Sequence, residues 1–169
     1  GIVMNHGTST QHPRFCASLL ATLCLLPFIA TPAFAESGKR ALQVPLLPKF
    51  QQECSSCHTA YPPGMLPAAS WIRVMKNLNN HYGTDASIDQ VSVNEITAWL
   101  SANAGTYKRV SEEPFQDRIT RAEWFIRKHR EVPAATWKRP AIKSAANCAA
   151  CHPQADKGDF NEHSIRIPR

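Results

Sequence analysis

Residues 53–66, ECSSCHTAYPPGML, contain two cysteines and a histidine in the frame C-x-x-C-H. Residues 146–159, ANCAACHPQADKGD, repeat this frame near the far end of the chain. Two residues between the cysteines let both thiols reach the vinyl groups on one edge of a porphyrin, while the adjoining imidazole turns under the ring to bind its iron. The repeat therefore predicts two covalent c-type haems. Their attachment residues are Cys54, Cys57 and His58 for the first, and Cys148, Cys151 and His152 for the second.

Two other kinds of site use paired cysteines. Zinc ribbons contain two C-x-x-C pairs, but they do not need a histidine directly after the second cysteine of both copies. A thioredoxin-like redox pair is expected on a βαβ pattern, which this sequence lacks. Covalent haem is therefore the favoured interpretation, and it consumes four of the six cysteines. The other two, Cys16 and Cys24, fall in the leader described next.

Residues 1–35 are typical of a secretory signal peptide. Arg14 precedes an apolar run, and the stretch ends in AFA, a sequence suited to signal-peptidase cleavage after Ala35. The apolar run is shorter than the roughly 20 residues that span a bilayer, and Pro27 interrupts it. We expect export to the periplasm and no integral membrane segment in the mature chain.

The remaining sequence is long enough for one ordinary domain or two very small ones. We predict a mainly α-helical, two-domain c-type cytochrome with an N-terminal haem domain, 36–110, and a C-terminal one, 111–169. Short helices and Pro-rich loops would pack around the two haems. Residues 36–100 balance five basic against five acidic side chains, whereas residues 101–169 contain 13 basic and eight acidic ones. The basic excess predicts either a solvated surface or a docking face for an acidic partner, and no nucleic-acid partner, because the basic residues form no long run.

Two further histidines lie where they could bind iron from the opposite side. A helix is predicted over 68–83, with His81 at the end of its apolar stripe. A second helix within 117–133 has His129 on its apolar face and ends before a proline. We therefore predict His81 opposite His58 and His129 opposite His152, while a crossed pairing remains open.

Capping signals predict where the other helices begin. Ser92 and Glu95 form a capping-box pattern at the start of a helix over 92–105, and Thr120 and Glu123 form another before the His129 stripe. Ser144 is predicted to cap a short helix that contains Cys148.

Three more side chains are alternative ligands. His163 lies in a segment without apolar periodicity, so we predict it at the surface or beside a ligand. Met75 falls on an apolar stripe and is expected in the core, whereas Met65, in a Pro-rich loop, is an alternative axial ligand.

The sequence resembles the dihaem cytochrome c family, usually abbreviated DHC. The likeness rests on CSSCHTAYPPGMLPAASW, NNHYGTDAS, ITAWLSANA, RITRAEWFIRKHREVP, WKRPA and NCAACHPQADKGDFNEHSIRIPR. The resemblance implies a periplasmic electron-transfer protein with two haem domains and two histidine ligands at each iron, His81 and His129 being the distal ones. It also implies a small high-spin monohaem cytochrome and membrane b-type cytochromes as redox partners.

Two filled axial positions at each iron predict an electron carrier and not an enzyme. The alternatives are a dihaem peroxidase or reductase with one open iron, and an electron-entry subunit of a periplasmic reductase. High-spin iron or ready carbon monoxide binding would favour the enzyme, and co-purification with a larger redox protein would favour the subunit.

Overall fold

Five α-helices are present in the part of the chain that the computed structural model describes, which comprises residues 44–106, 110 and 112–169. They are α1 Pro48–Cys54, α2 Ala68–Lys76, α3 Gln90–Ala102, α4 Glu123–Lys128 and α5 Ala134–Trp137. Short 3-10 turns connect them, at Pro63–Met65, Leu78–Asn80, Phe115–Asp117, Ile119–Arg121, Cys148–Ala150, Ala155–Lys157 and Glu162–Ser164. The same residues contain no β-strand, only an isolated bridge between His81 and Thr84. The prediction of a mainly α fold is confirmed.

The predicted signal peptide lies outside the described residues. None of the helices within 44–169 that the structure describes has the length and hydrophobicity needed to cross a bilayer. The described residues all belong to one unit of the chain, 34–169, so the domain boundary between 110 and 111 stays a prediction.

Helix α3 begins one turn earlier than its sequence pattern predicts. Asp89 is the N-cap, and its carboxylate accepts hydrogen bonds from the Ser92 amide at 2.9 Å and the Ser92 hydroxyl at 2.6 Å. These hydrogen bonds hold the pKa of Asp89 below its ordinary value. The predicted Ser92 and Glu95 capping box is therefore wrong, because an aspartate three residues upstream satisfies the free amides of the first turn.

Two other predicted caps are also wrong. The residue before α4 is Ala122 and not Thr120, because Ala122 is extended, with φ of −65° and ψ of 139°, and so separates the 3-10 turn Ile119–Arg121 from the helix. Cys148–Ala150 is a 3-10 turn with Asn147 as its N-cap. Ser144 instead accepts a hydrogen bond from the Ala146 amide at 3.1 Å.

Helix α2 ends well before the predicted limit at residue 83. Asn77 leaves helical geometry, and a 3-10 turn over Leu78–Asn80 follows. A tight turn then joins His81 to Thr84, with hydrogen bonds of 2.7 and 3.2 Å between their main chains. Its two central residues, Tyr82 and Gly83, have φ of 54° and 97°, the left-handed conformations that such turns require. His81 is therefore placed by a turn and not by a helix.

Helices α2 and α3 pack against each other and form most of the core. Trp71 of α2 lies across the 3-10 turn before it, and its indole N–H donates to the Pro63 carbonyl at 2.7 Å. The buried side chains of this cluster are Phe50, Ala60, Leu66, Trp71, Met75, Ile96 and Leu100.

Arg73 links α2 to the segment that precedes α4. Its guanidinium donates two hydrogen bonds to the Asp117 carboxylate, at 2.6 and 2.9 Å, and one to Glu113 at 2.6 Å. Burial alone would raise the pKa of Asp117, but hydrogen bonds with Arg73 and Ser70 outweigh it and the pKa is lowered. Because a lowered pKa means that folding favours the ionised carboxylate, this pair stabilises the fold only while Asp117 is charged.

Replacing Arg73 with methionine is expected to lower the melting temperature at neutral pH. Its side chain is 47% exposed, so we expect a loss of no more than about 1 kcal/mol. The difference from wild type should shrink as the pH falls below 3.8, the ordinary carboxyl pKa, because Asp117 then takes up a proton. Thermal unfolding of both proteins over a pH series would measure this. The matched control is Arg130→Met, whose ion pair with Glu131 is 3.8 Å long and more exposed, and whose effect should be negligible at every pH.

Candidate metal centres

The first C-x-x-C-H frame follows the end of helix α1. Proline in its first turn favours the start of this helix, and the Ser55 hydroxyl bonds to the Gln51 carbonyl at its end. Cys54, the last helical residue, is half-buried, and burial together with the charge of Glu53 raises the pKa of its thiol to about 11. Cys57 lies beyond the helix and is exposed. The first frame therefore places one cysteine at the end of a helix and the other just beyond it.

His58 of the first frame faces His81. The ring centroids are 6.1 Å apart and the ring planes differ by 20°. Nδ1 of His58 is 2.7 Å from the Thr59 carbonyl, which can only accept, so Nδ1 is the donor and Nε2 is the nitrogen left to bind a metal. Burial, and then the neighbouring His58, lower the pKa of His81. The lowered pKa of His81 favours its neutral, metal-binding form.

The second frame repeats this arrangement. His152 follows the Cys148–Ala150 turn and faces His129, with ring centroids 6.3 Å apart and planes at 80°. Nδ1 of His129 is 2.8 Å from the Phe125 carbonyl, so Nδ1 is the donor and Nε2 is the nitrogen left to bind a metal. The pKa of His152 is lowered by burial and by His129, against an opposing effect of Asp159.

The separation within each pair fits a metal ion between the rings. A metal–imidazole bond is about 2 Å long, so two such bonds plus half a ring at either end give about 6 Å between centroids. Both measured separations, 6.1 and 6.3 Å, agree with this value. In the part of the chain that the structure describes, no three His, Cys, Asp or Glu side chains cluster as ligands for a metal ion. The geometry therefore suits a metal whose other ligands come from a cofactor.

A cavity of about 540 Å³ lies at the first pair. Its wall includes both histidines and both cysteines of this site. Most of the remaining wall is apolar, and five core side chains contribute to it: Phe50, Leu66, Trp71, Met75 and Leu100. A large, mainly apolar cavity with two opposed imidazoles and two thiols at its edge fits a covalently attached porphyrin.

Aromatic rings hold each histidine in place. Tyr61 stacks on His58 with centroids 4.9 Å apart, and Tyr82 meets His81 edge-on at the same distance. In the second pair, Phe125 stacks on His129 at 4.0 Å. Trp137 lies 5.8 Å from His129 and Phe160 lies 5.3 Å from His152. These contacts restrict the rotation of the imidazoles.

Two of the three alternative ligands lie outside the first cavity. His163 is exposed and contacts none of the four histidines above through its ring. Met65 is 3% exposed but does not line the first cavity, and its carbonyl accepts a hydrogen bond from the Trp124 indole at 3.1 Å. Met75 is a core residue that also lines the cavity.

Tyr61 is one of the site residues that sequence reasoning missed. Besides stacking on His58, its hydroxyl donates to the Ala146 carbonyl at 2.7 Å. The two residues are 85 positions apart, and neither belongs to a periodic pattern. Only its place three residues after a predicted ligand distinguishes this tyrosine in the sequence.

The fold and the paired centres define a helical protein that binds two c-type haems. The chain belongs to the dihaem cytochrome c family, DHC, whose pattern matches residues 50–160. As a member, it contains two covalently bound haem c groups and takes part in electron transfer.

Solved structures agree with this assignment. The chain is similar to the diheme cytochrome type c of Shewanella baltica OS155, with 36% identity and a TM-score of 0.65 over 74% of this chain and 95% of that one. It is also similar to the diheme cytochrome c of Rhodobacter sphaeroides, with 40% identity and a TM-score of 0.62 over 70% of this chain and 99% of that one. No curated protein sequence matches the chain significantly.

Proposed function

We propose that the chain is a periplasmic electron carrier whose two haem irons are each bound by two histidines. The ligands would be His58 and His81 at the first iron and His152 and His129 at the second. Thioether links would form at Cys54, Cys57, Cys148 and Cys151. The observation that supports this proposal is the pairing itself, since each motif histidine faces one other imidazole at about the distance that one metal ion requires.

The protein would tune the two metals through its own groups. The Thr59 and Phe125 carbonyls hold the Nδ1 protons of His58 and His129, which makes Nε2 of each ring a stronger donor. The mainly apolar wall of the first cavity would surround the porphyrin with few polar groups. Haem supplies an iron that alternates between ferric and ferrous states. Two histidine ligands favour a lower potential than a histidine and a methionine would.

An electron carrier is favoured over an enzyme because both sides of each metal have a nearby imidazole. A peroxidase or reductase needs a coordination position for its substrate. With His81 and His129 in place, no such position would be open. Electrons would then enter and leave by outer-sphere transfer to other redox proteins.

Export and partners are part of the same proposal. The leader-like pattern of residues 1–35 supports export, and covalent haem is consistent with it. The basic excess of residues 101–169 supports docking to acidic surfaces. Family resemblance suggests a small high-spin monohaem cytochrome and a membrane b-type cytochrome as partners. Within the chain, the two haems would define the domains 36–110 and 111–169.

Magnetic resonance of the oxidised protein tests the ligation. We expect two distinct low-spin ferric signals and no high-spin iron. Two imidazole planes that differ by only 20° donate into the same iron d orbital, which separates its energy from that of the other π-bonding d orbital. Two planes at 80° raise the energies of these two d orbitals almost equally. The second haem should therefore give the larger highest g value. A high-spin signal, or carbon monoxide binding by the reduced wild-type protein, would contradict the carrier and support an enzyme with an open iron.

A further inference from the structure

The first cavity extends to the attachment motif of the second haem. Cys54, Cys57 and His58 line it on one side. Its wall also includes Ala146 and Cys148, although these residues lie about 90 positions later in the chain. Cys148 is half-buried. Cys148, the thiol predicted to attach the second haem, thus borders the cavity that fits the first haem. The two haem sites are therefore neighbours at Cys148.

Tyr61 lies at this junction and contacts both sides of it. One face of its phenol ring stacks on His58, with planes only 19° apart. The hydroxyl at the far end of the same ring donates to the Ala146 carbonyl at 2.7 Å. Ala146 is two residues before Cys148, and main-chain hydrogen bonds link the intervening Asn147 to Ser144 and Ala150. A single rigid ring therefore connects an axial ligand of one centre to the turn that anchors the other.

We propose that Tyr61 is a positioning residue that fixes the two haem sites relative to each other and so sets the electronic coupling between them. The proposal rests on the proposed function only in assigning His58 to an iron and Cys148 to a thioether link. A phenol ring has no internal torsion between its stacked face and its hydroxyl oxygen. Loss of either contact would let the His58 ring and the 146–148 turn move independently.

Two replacements separate the two contacts. Tyr61→Phe keeps the stacked ring and removes the hydroxyl, whereas Tyr61→Leu removes both. Arg73→Met is the matched control, because Arg73 also joins an early element to residues beyond 110 but does not line the cavity. The fully loaded proteins would be compared, with two covalent haems verified by mass.

Three readouts follow the coupling directly. They are the magnetic interaction between the two ferric irons, the separation of the two reduction potentials, and the rate of electron exchange between the haems after flash reduction. We expect Tyr61→Phe to weaken the magnetic interaction and slow the exchange, and Tyr61→Leu to do so more strongly. The Ala146 and Asn147 amides, which both donate to Ser144, should exchange with solvent about fivefold faster in Tyr61→Phe, because one hydrogen bond has been lost. Arg73→Met should leave all of these values as in wild type.

These measurements test the positioning role of Tyr61 separately from the proposed electron-carrier function. Unchanged coupling in Tyr61→Phe and Tyr61→Leu would overturn the positioning role, even if both irons are low-spin. An equal loss of coupling in Arg73→Met would also overturn it, since general loosening would then explain the effect. If Tyr61→Leu does not mature, Tyr61→Phe alone decides. High-spin iron in the wild-type protein would refute the proposed function, while the Tyr61 comparison would still show whether this contact couples the sites.

Discussion

Replacement of His129 by alanine is expected to convert one of the two haems from six-coordinate low-spin to high-spin and to leave the other unchanged. His129 is the imidazole that faces His152, and its ring is fixed by the stacked Phe125 and the hydrogen bond to the Phe125 carbonyl. His163, the next histidine in sequence after His152, is exposed and has no ring contact with this pair. The iron should therefore lose its ligand without a replacement.

Optical and magnetic resonance spectra would measure this change. About half of the haem should become high-spin, and the reduced variant should bind one carbon monoxide per protein, because a five-coordinate iron has a free position. His163→Ala is the matched control and should keep both irons low-spin. His81→Ala should convert the other haem, so the double variant would have two open irons. If both haems stay low-spin in His129→Ala, another side chain is the ligand and the assignment of His129 fails.

Loss of the first haem is expected to unfold the N-terminal half of the chain. The first cavity has a volume of about 540 Å³, and its wall includes most of the largest core side chains. Without the porphyrin, the apolar side chains of this wall would face water, and leaving a large one exposed costs about 1.5–3 kcal/mol. The total stability of a domain is about 5–15 kcal/mol. Without its porphyrin, this half has too little apolar contact to remain folded.

The double replacement Cys54→Ala with Cys57→Ala tests this expectation. Mass analysis should show one covalent haem, and an acid-acetone wash should remove any haem held without a bond. The washed protein should lose the cooperative melt and the amide protection of α2 and α3. The matched variant, Cys148→Ala with Cys151→Ala, should keep both, since those helices belong to the first site. Native-like protection of α2 and α3 in the washed first variant would contradict the central role of haem in this core.

The sequence allowed the chemistry of the sites to be predicted better than their local structure. The C-x-x-C-H frame requires a fixed spacing of thiols and imidazole, so a short pattern is sufficient to predict attachment. Apolar periodicity also identified His81 and His129 as the residues that face inward, and the structure places each opposite a motif histidine. Their assignment as iron ligands stays a prediction.

Helix ends were harder to predict, because several side chains compete for the same free amides. Asp89 caps α3, although Ser92 and Glu95 also form a capping pattern. His81 was expected on a helix, yet the run of asparagines before it ends α2 and leads into a turn. Intrinsic preferences differ by less than about 1 kcal/mol per residue, so tertiary contacts decide such cases. The contact between Tyr61 and Ala146 could not be predicted, since nothing local links residues 85 positions apart.

The shared wall of the first cavity also affects the order of assembly. A polypeptide leaves the ribosome from its N-terminus, so early segments usually start to fold before later ones exist. Here Ala146 and Cys148 complete the enclosure around His58. That enclosure cannot close until Cys148, 90 residues after His58, has emerged. The first motif therefore stays accessible for haem attachment until the segment that contains the second motif has folded against it.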